Sequence, residues 1–111
     1  MPIERGEVYW VNFDPSLGGE IQKTRPAIIL SNNAANSTLN RVQVVPITSK
    51  TGRVYPAEAL IELKGEKRKA MADQLTTVSK LRLGSRLGLL GSEDMARVES
   101  AIAVQLALSL K

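Results

Sequence analysis

Apolar and polar positions divide this chain into short blocks separated by turn residues, with one longer helical pattern at its end. EVYWVNF, residues 7–13, is rich in aromatic and β-branched side chains and predicts a strand. The turn residues DPSLGG follow. RPAIILSN, residues 25–32, has a continuous apolar centre and predicts a strand buried on both faces. NAANSTLNR reads as a polar connection with room for one short helical turn, and RVQVVPITS, residues 41–49, as a third strand. Pro46 inside it cannot donate to a ladder, so it marks an edge, a bulge or a local strand end.

The second half continues in the same style. AEALIEL, residues 57–63, alternates as a half-buried strand, and KGEKRKA reads as a charged turn. MADQLTTVS, residues 71–79, is a strand candidate, KLRL a single helical turn, and SRLGLLG, residues 85–91, a short final strand. SEDMARVESAIAVQLALSL then changes period. Ser92 is placed to cap a helix, Glu93 and Asp94 suit the positive end of its dipole, and Met95, Val98 and Ile102 step at helical spacing. The last part, AVQLALSL, is apolar nearly all round, which predicts burial across the barrel first and in a subunit contact second. Many short strands and one helix predict an α+β fold, mainly β: a small, strongly bent antiparallel sheet or barrel with a C-terminal helix.

Composition narrows the chemistry. The 111 residues read as a single domain, residues 1–111, of a size that supports one core. There is no cysteine and no histidine, so thiolate chemistry, disulfides and imidazole catalysis are excluded. Carboxylates, hydroxyls, Lys, Arg and backbone groups remain, and neither a cofactor nor a metal is expected. The net charge is +4, and residues 1–92 carry 13 basic against 8 acidic side chains. That balance favours a polyanionic partner over a basic one. MPIERGEVYW lacks the apolar stretch of a signal peptide, and no run approaches the ~20 residues that span a bilayer. A cytoplasmic protein without membrane contact is the expectation.

Two segments carry candidate anion chemistry. In GGEIQKTRPAIIL, Pro26 pushes Arg25 into extended backbone at the head of its strand. The guanidinium stays charged and offers a planar fork of donors that suits a phosphate. Glu20 sits in the preceding loop, and an exposed Glu–Arg pair would contribute only ~0–1 kcal/mol. In PITSK, Thr48 and Ser49 can donate to phosphate oxygens and Lys50 can add a point charge. Taken alone, each segment reads first as an ordinary strand-end turn. The basic set Lys64, Lys67, Arg68 and Lys69 reads as a solvated turn. Tyr55, close behind Arg53, could stack on a base or join the core.

Taken together, RGEVYWVNFDPSLGGEIQKTRPAIILSN, VVPITSK, DQLTTVSKLRL and the terminal helix resemble the MazF/PemK family of toxin endoribonucleases over nearly the whole chain. The D-P turn, G-x-E loop and R-P strand head are the most specific part. DQLTTVSKLRL departs from the family at Ser79, where an Asp is usual, and Thr24 stands where some relatives carry a His before the arginine. The resemblance implies a barrel of the Src-homology-three-like kind, working as a homodimer. It implies metal-independent, sequence-selective cleavage of single-stranded RNA to a 2′,3′-cyclic phosphate and a 5′-hydroxyl. A cognate antitoxin would block the RNA groove, and DNA would be met only through the antitoxin complex. Mapped onto this chain, the resemblance implies catalytic roles for Arg25, Thr48 and Glu20. Ser49, Lys50, Arg53, Gln74 and Lys23 are the expected RNA contacts. The gyrase-poisoning CcdB toxins share this architecture, so a non-catalytic toxin acting on a protein is the alternative.

Overall fold

The computed structural model describes residues 2–15, 17–21 and 23–109. Ser16 and Gln22 of the first loop and Leu110 of the expected helix lie outside the described residues, as do Met1 and Lys111. The strands are β1 (Glu7–Asn12), β2 (Thr24–Ile29), β3 (Arg41–Thr48), β4 (Glu58–Leu63), β5 (Glu66–Met71), β6 (Thr76–Ser79) and β7 (Leu83–Leu89). The helices are α1 (Asn33–Thr38) and α2 (Ser92–Leu106), and short 3-10 turns cover Ala72–Gln74 and Lys80–Arg82. All strand pairs are antiparallel, in the order β4-β5-β3-β2-β1-β7, with β6 also on β3. Register shifts between β1 and β7 at Val8, Tyr9 and Val11 bend that side of the sheet, as bulges do. The mainly β, bent antiparallel fold with a C-terminal helix is the expected one.

Period-two alternation explains the two cores. Val8, Ile28, Val45 and Ile47 point to one face, where Met95, Val98 and Ala101 of α2 cover them. Tyr9, Val11, Ala27, Ile29, Val42 and Val44 point to the other face with Phe13 and Val78. β2 is therefore buried on both faces, as its unbroken apolar run requires. Burying each Ile or Val of these strands contributes about 1.5–3 kcal/mol.

Several boundaries differ from the expectations. KGEKRKA is a turn only at Lys64 and Gly65, both at positive φ; from Glu66 onward it is a full strand paired to β4. MADQLTTVS is not one strand: Met71 ends β5, a 3-10 turn intervenes, and β6 begins at Thr76. That interruption accounts for Pro46. β3 is an interior strand, and Pro46 stands opposite Ala27 of β2. On its other side β3 pairs with β6 at residues 41–44 and with β5 at residues 47 and 48. Pro46 falls in the gap, where a residue without an N–H is tolerated.

The cap of α2 is Gly91, whose carbonyl accepts from Met95 at 2.9 Å; Ser92 is the first helical residue. Glu93 and Asp94 occupy the first turn as expected, and Asp94 accepts from the Glu62 amide at 2.9 Å, pinning α2 to β4. The apolar end departs from expectation. Val104, Leu106 and Leu108 are 55%, 51% and 55% exposed, so the last turn does not pack across the barrel. Its reversal is a left-handed Ala107, φ 56°, with the Leu108 amide reaching back to the Ala103 carbonyl at 2.8 Å. Ala107→Gly is expected to stabilise the chain by about 0.5–1 kcal/mol, because glycine reaches that φ without a Cβ clash. A rise of a few degrees in Tm checks it.

Candidate active site

The loop between β1 and β2 is built from its base upward. The Phe13 amide donates to the Lys23 carbonyl at 2.8 Å, and the Lys23 amide donates to Asp14 Oδ1 at 2.8 Å, with Lys23 at φ 66°. The Arg82 guanidinium donates to the carbonyls of Asn12 at 3.0 Å and Asp14 at 2.5 Å. Asp14–Pro15 is a cis peptide. Higher in the loop, Glu20 Oε1 accepts from the Leu17 amide at 2.6 Å. Gln74 holds the loop from outside: its Nε2 donates to the Gly19 carbonyl at 3.1 Å, and its Oε1 accepts from the Ile21 amide at 3.3 Å. Glu20 is exposed, but the backbone on both sides of it is thereby tied to the turn before β6.

Arg25 is half-buried on β2, opposite Val11 of β1, with Pro26 opposite Trp10. The pairing of β2 with β3 sets Ala27 against Pro46, Ile28 against Val45 and Ile29 against Val44. Arg25 and Thr48 each lie two residues beyond the last of these pairs, Ala27 with Pro46, at the same end of the two strands. Strand alternation agrees, since Arg25 shares a face with Ala27 and Ile29, and Thr48 with Val42 and Val44. Thr48 is buried, and its Oγ1 accepts from the Lys50 amide at 3.2 Å, which leaves the hydroxyl hydrogen for another acceptor. Ser49 and Lys50 are exposed just beyond it.

The expected residues thus fall in two groups. Arg25 and Thr48, with Ser49 and Lys50 after them, sit at one end of the β2–β3 pair. Glu20 and Gln74 line a groove of about 400 Å³ between the first loop and β6, with Phe13, Thr76 and Arg82 on its walls. Arg25 and Thr48 do not line that groove. Lys23 is exposed on the chain segment that joins the two groups, and Arg53 is exposed on the β3–β4 loop. Gln74 is spent on holding the loop, a positioning use that the sequence reading of it as an RNA contact did not contain.

Two clusters escaped the sequence reading. Lys69 is not a solvated turn residue. It is buried opposite Thr48 on β5, where its Nζ lies 3.0 Å from Glu58 Oε1 and donates to the Arg53 carbonyl at 2.9 Å. The signal available was the two-residue period of EKRKAM, which turns Lys69 away from the face of Ala70. Glu7 on β1 is the other. It is buried, and its carboxylate accepts from Arg86 Nε at 2.5 Å, the Glu4 amide at 2.6 Å and the Tyr9 hydroxyl at 3.1 Å. Burial pushes its pKa up, but the bonds from Arg86, Glu4 and Tyr9 outweigh this and leave it below the ordinary value of 4.5. Burial and the Glu7 carboxylate both raise Tyr9, so the phenol stays a donor.

Relatives agree with the fold. The family described as PemK-like, MazF-like toxin of type II toxin-antitoxin system matches residues 4–106. The chain is 32% identical over 115 aligned residues to Endoribonuclease MazF9 of Mycobacterium tuberculosis, covering 96% of this chain and 98% of that one. A mycobacterial endoribonuclease solved with its cognate antitoxin superposes with a TM-score of 0.82 at 27% identity, covering 98% and 99% of the two chains. MazF from Deinococcus radiodurans superposes with a TM-score of 0.86 at 26% identity, covering 97% and 99%. A match across most of the chain and a relative above 30% identity place it: the chain belongs to the PemK-like, MazF-like toxin family of type II toxin-antitoxin systems.

Proposed function

We propose that the chain is a toxin endoribonuclease that cleaves single-stranded RNA through its own 2′-hydroxyl, without a metal, leaving a 2′,3′-cyclic phosphate and a 5′-hydroxyl. The observation that supports this is that Arg25 and Thr48 lie at the same end of the antiparallel β2–β3 pair, each two residues beyond Ala27 and Pro46. The endoribonuclease names of its relatives support it. Attack by the 2′-oxygen requires loss of its proton, stabilisation of charge on the phosphoryl oxygens and protonation of the leaving 5′-oxygen. Arg25 clamps the non-bridging oxygens with two fixed donors, and Thr48 and Ser49 donate to the same phosphate. Glu20, carried on a loop that Gln74 ties down, serves as base or as counter-ion to Arg25, and water protonates the leaving oxygen. Lys23, Lys50 and Arg53 meet neighbouring phosphates as sequence-independent charges.

In this reading the chain works as a homodimer and a cognate antitoxin restrains it. The antitoxin bound to a structural relative and the exposed apolar end of α2 support an assembly. The test is incubation of the purified chain with a broad set of single-stranded RNAs in EDTA, followed by analysis of the ends. Cyclic phosphate ends are expected, and a 2′-deoxy at the cleaved ribose should block the cut. No cleavage of any RNA would overturn the reading. Thr48→Ala is expected to slow single-turnover cleavage about 10- to 100-fold, the range for losing a hydrogen bond to a charged group.

A further inference from the structure

The β3–β4 loop holds an exposed aromatic on an unusually firm support. Tyr55 is 51% exposed, so it is no core residue. The Arg53 guanidinium lies over its ring, 4.8 Å from the centroid. The backbone beneath is fixed on both sides of the ring. The Tyr55 amide donates to Glu58 Oε1 at 2.9 Å, and the Tyr55 carbonyl accepts from the Glu58 amide at 2.9 Å. Lys69 closes the clamp: its buried ammonium lies 3.0 Å from the same Glu58 oxygen, donates to the Arg53 carbonyl at 2.9 Å and lies 6.0 Å from the Tyr55 centroid. Lys69 is also the β5 residue opposite Thr48. One side chain therefore spans from the Thr48 row to the backbone that carries the aromatic.

We propose that the Arg53–Tyr55 stack is a platform for one unpaired base next to the scissile phosphate, and that Lys69, with Glu58, is the positioning residue that sets it beside Thr48. The physical case has three parts. An exposed aromatic with a guanidinium on its ring offers a flat, cationic surface, and every base has a π-face to place on such a surface. A core role would bury the ring, and a solvated loop would have no need to bury a lysine beneath it. A buried lysine is kept only where its charge is paired, and here both its acceptors belong to the platform's own support. The platform would fix the flanking base and, through it, the phosphate on which Arg25 and Thr48 act. This rests on the ribonuclease reading above and adds a base subsite to it.

The test reads binding apart from cleavage. The probe is a fluorescein-labelled single-stranded RNA spanning the mapped cleavage site, blocked by a 2′-O-methyl at the scissile ribose. A matched set carries an abasic ribose at each position in turn. Tyr55→Ala is expected to weaken binding at least about fivefold, and Tyr55→Phe by less than about twofold, because the ring remains. At one flanking position the abasic probe should bind wild type and Tyr55→Ala equally. Lys69→Met should reproduce the loss on intact RNA and disappear on that same abasic probe, whereas a merely structural lysine would weaken every probe alike. Cleavage and binding by the wild type with no effect of Tyr55→Ala would overturn the platform and leave the ribonuclease reading standing. Failure of the wild type to bind or cut any RNA would overturn both.

Discussion

Arg25→Ala is expected to lower cleavage by at least about 10³-fold while RNA binding falls only severalfold. The size follows from where charge appears. As the 2′-oxygen attacks, the non-bridging oxygens gain negative charge, and a fixed donor aimed at them is stronger in the transition state than in the bound substrate. Removal of a single such donor costs on the order of 10²–10³ in rate, and a guanidinium brings two donors and a full charge. Binding depends on many cations, since residues 1–92 alone carry 13 basic side chains. Losing one phosphate contact should weaken all RNAs about equally and reduce the salt slope by about one. Arg25→Lys keeps the charge but not the fork, and should recover only part of the rate. Single-turnover cleavage and salt-dependent binding of the same variant separate the two effects. Cleavage by Arg25→Ala at the wild-type rate would remove Arg25 from the mechanism.

What the sequence made legible was local. Pro26 after Arg25 and Pro46 before Thr48 marked two strand segments with unusual chemistry, and the family motif tied them together. That Arg25 and Thr48 lie at the same end of the β2–β3 pair was not legible, because it depends on the register of β2 against β3, which pairing across the sheet decides. Lys69 was misread for a related reason. A run of four basic residues in seven looks solvated until strand pairing sets one of them, on the face away from Ala70, beside Glu58. The hold of Gln74 on the first loop was not legible, since nothing in DQLTT shows that this loop folds back over it. The apolar end of α2 gave the opposite error. Its composition predicts burial within the barrel, yet Val104, Leu106 and Leu108 face outward from this chain. Hydrophobic patterning identifies a face to be covered and not the chain that covers it.

Glu7→Ala is expected to destabilise the fold by about 2–3 kcal/mol, the second largest effect after loss of Arg25. The carboxylate serves three donors, and the buried Tyr9 hydroxyl would lose its acceptor, which costs on the order of 1–3 kcal/mol by itself. The Arg86 side chain is about half exposed, so water takes back part of its loss, and the ion pair adds little beyond this. For a chain of this size the Tm should fall by about 8–20 °C. The acid limb of the stability curve carries the sharper prediction. Glu7 titrates below its ordinary value of 4.5 when folded, so the unfolded chain takes up the proton first as pH falls. Its contribution is therefore complete above about pH 5 and is lost as pH drops through the folded pKa. Glu7→Gln keeps an acceptor for Tyr9 but removes the charge. The stability difference between wild type and Glu7→Gln should be constant from pH 5 to 7 and shrink steadily below about pH 4.5. Urea unfolding across that range reads it directly, because the other carboxylates are common to both chains. A difference that persists unchanged to pH 3 would mean that the folded protein does not hold Glu7 as the charged member of this cluster.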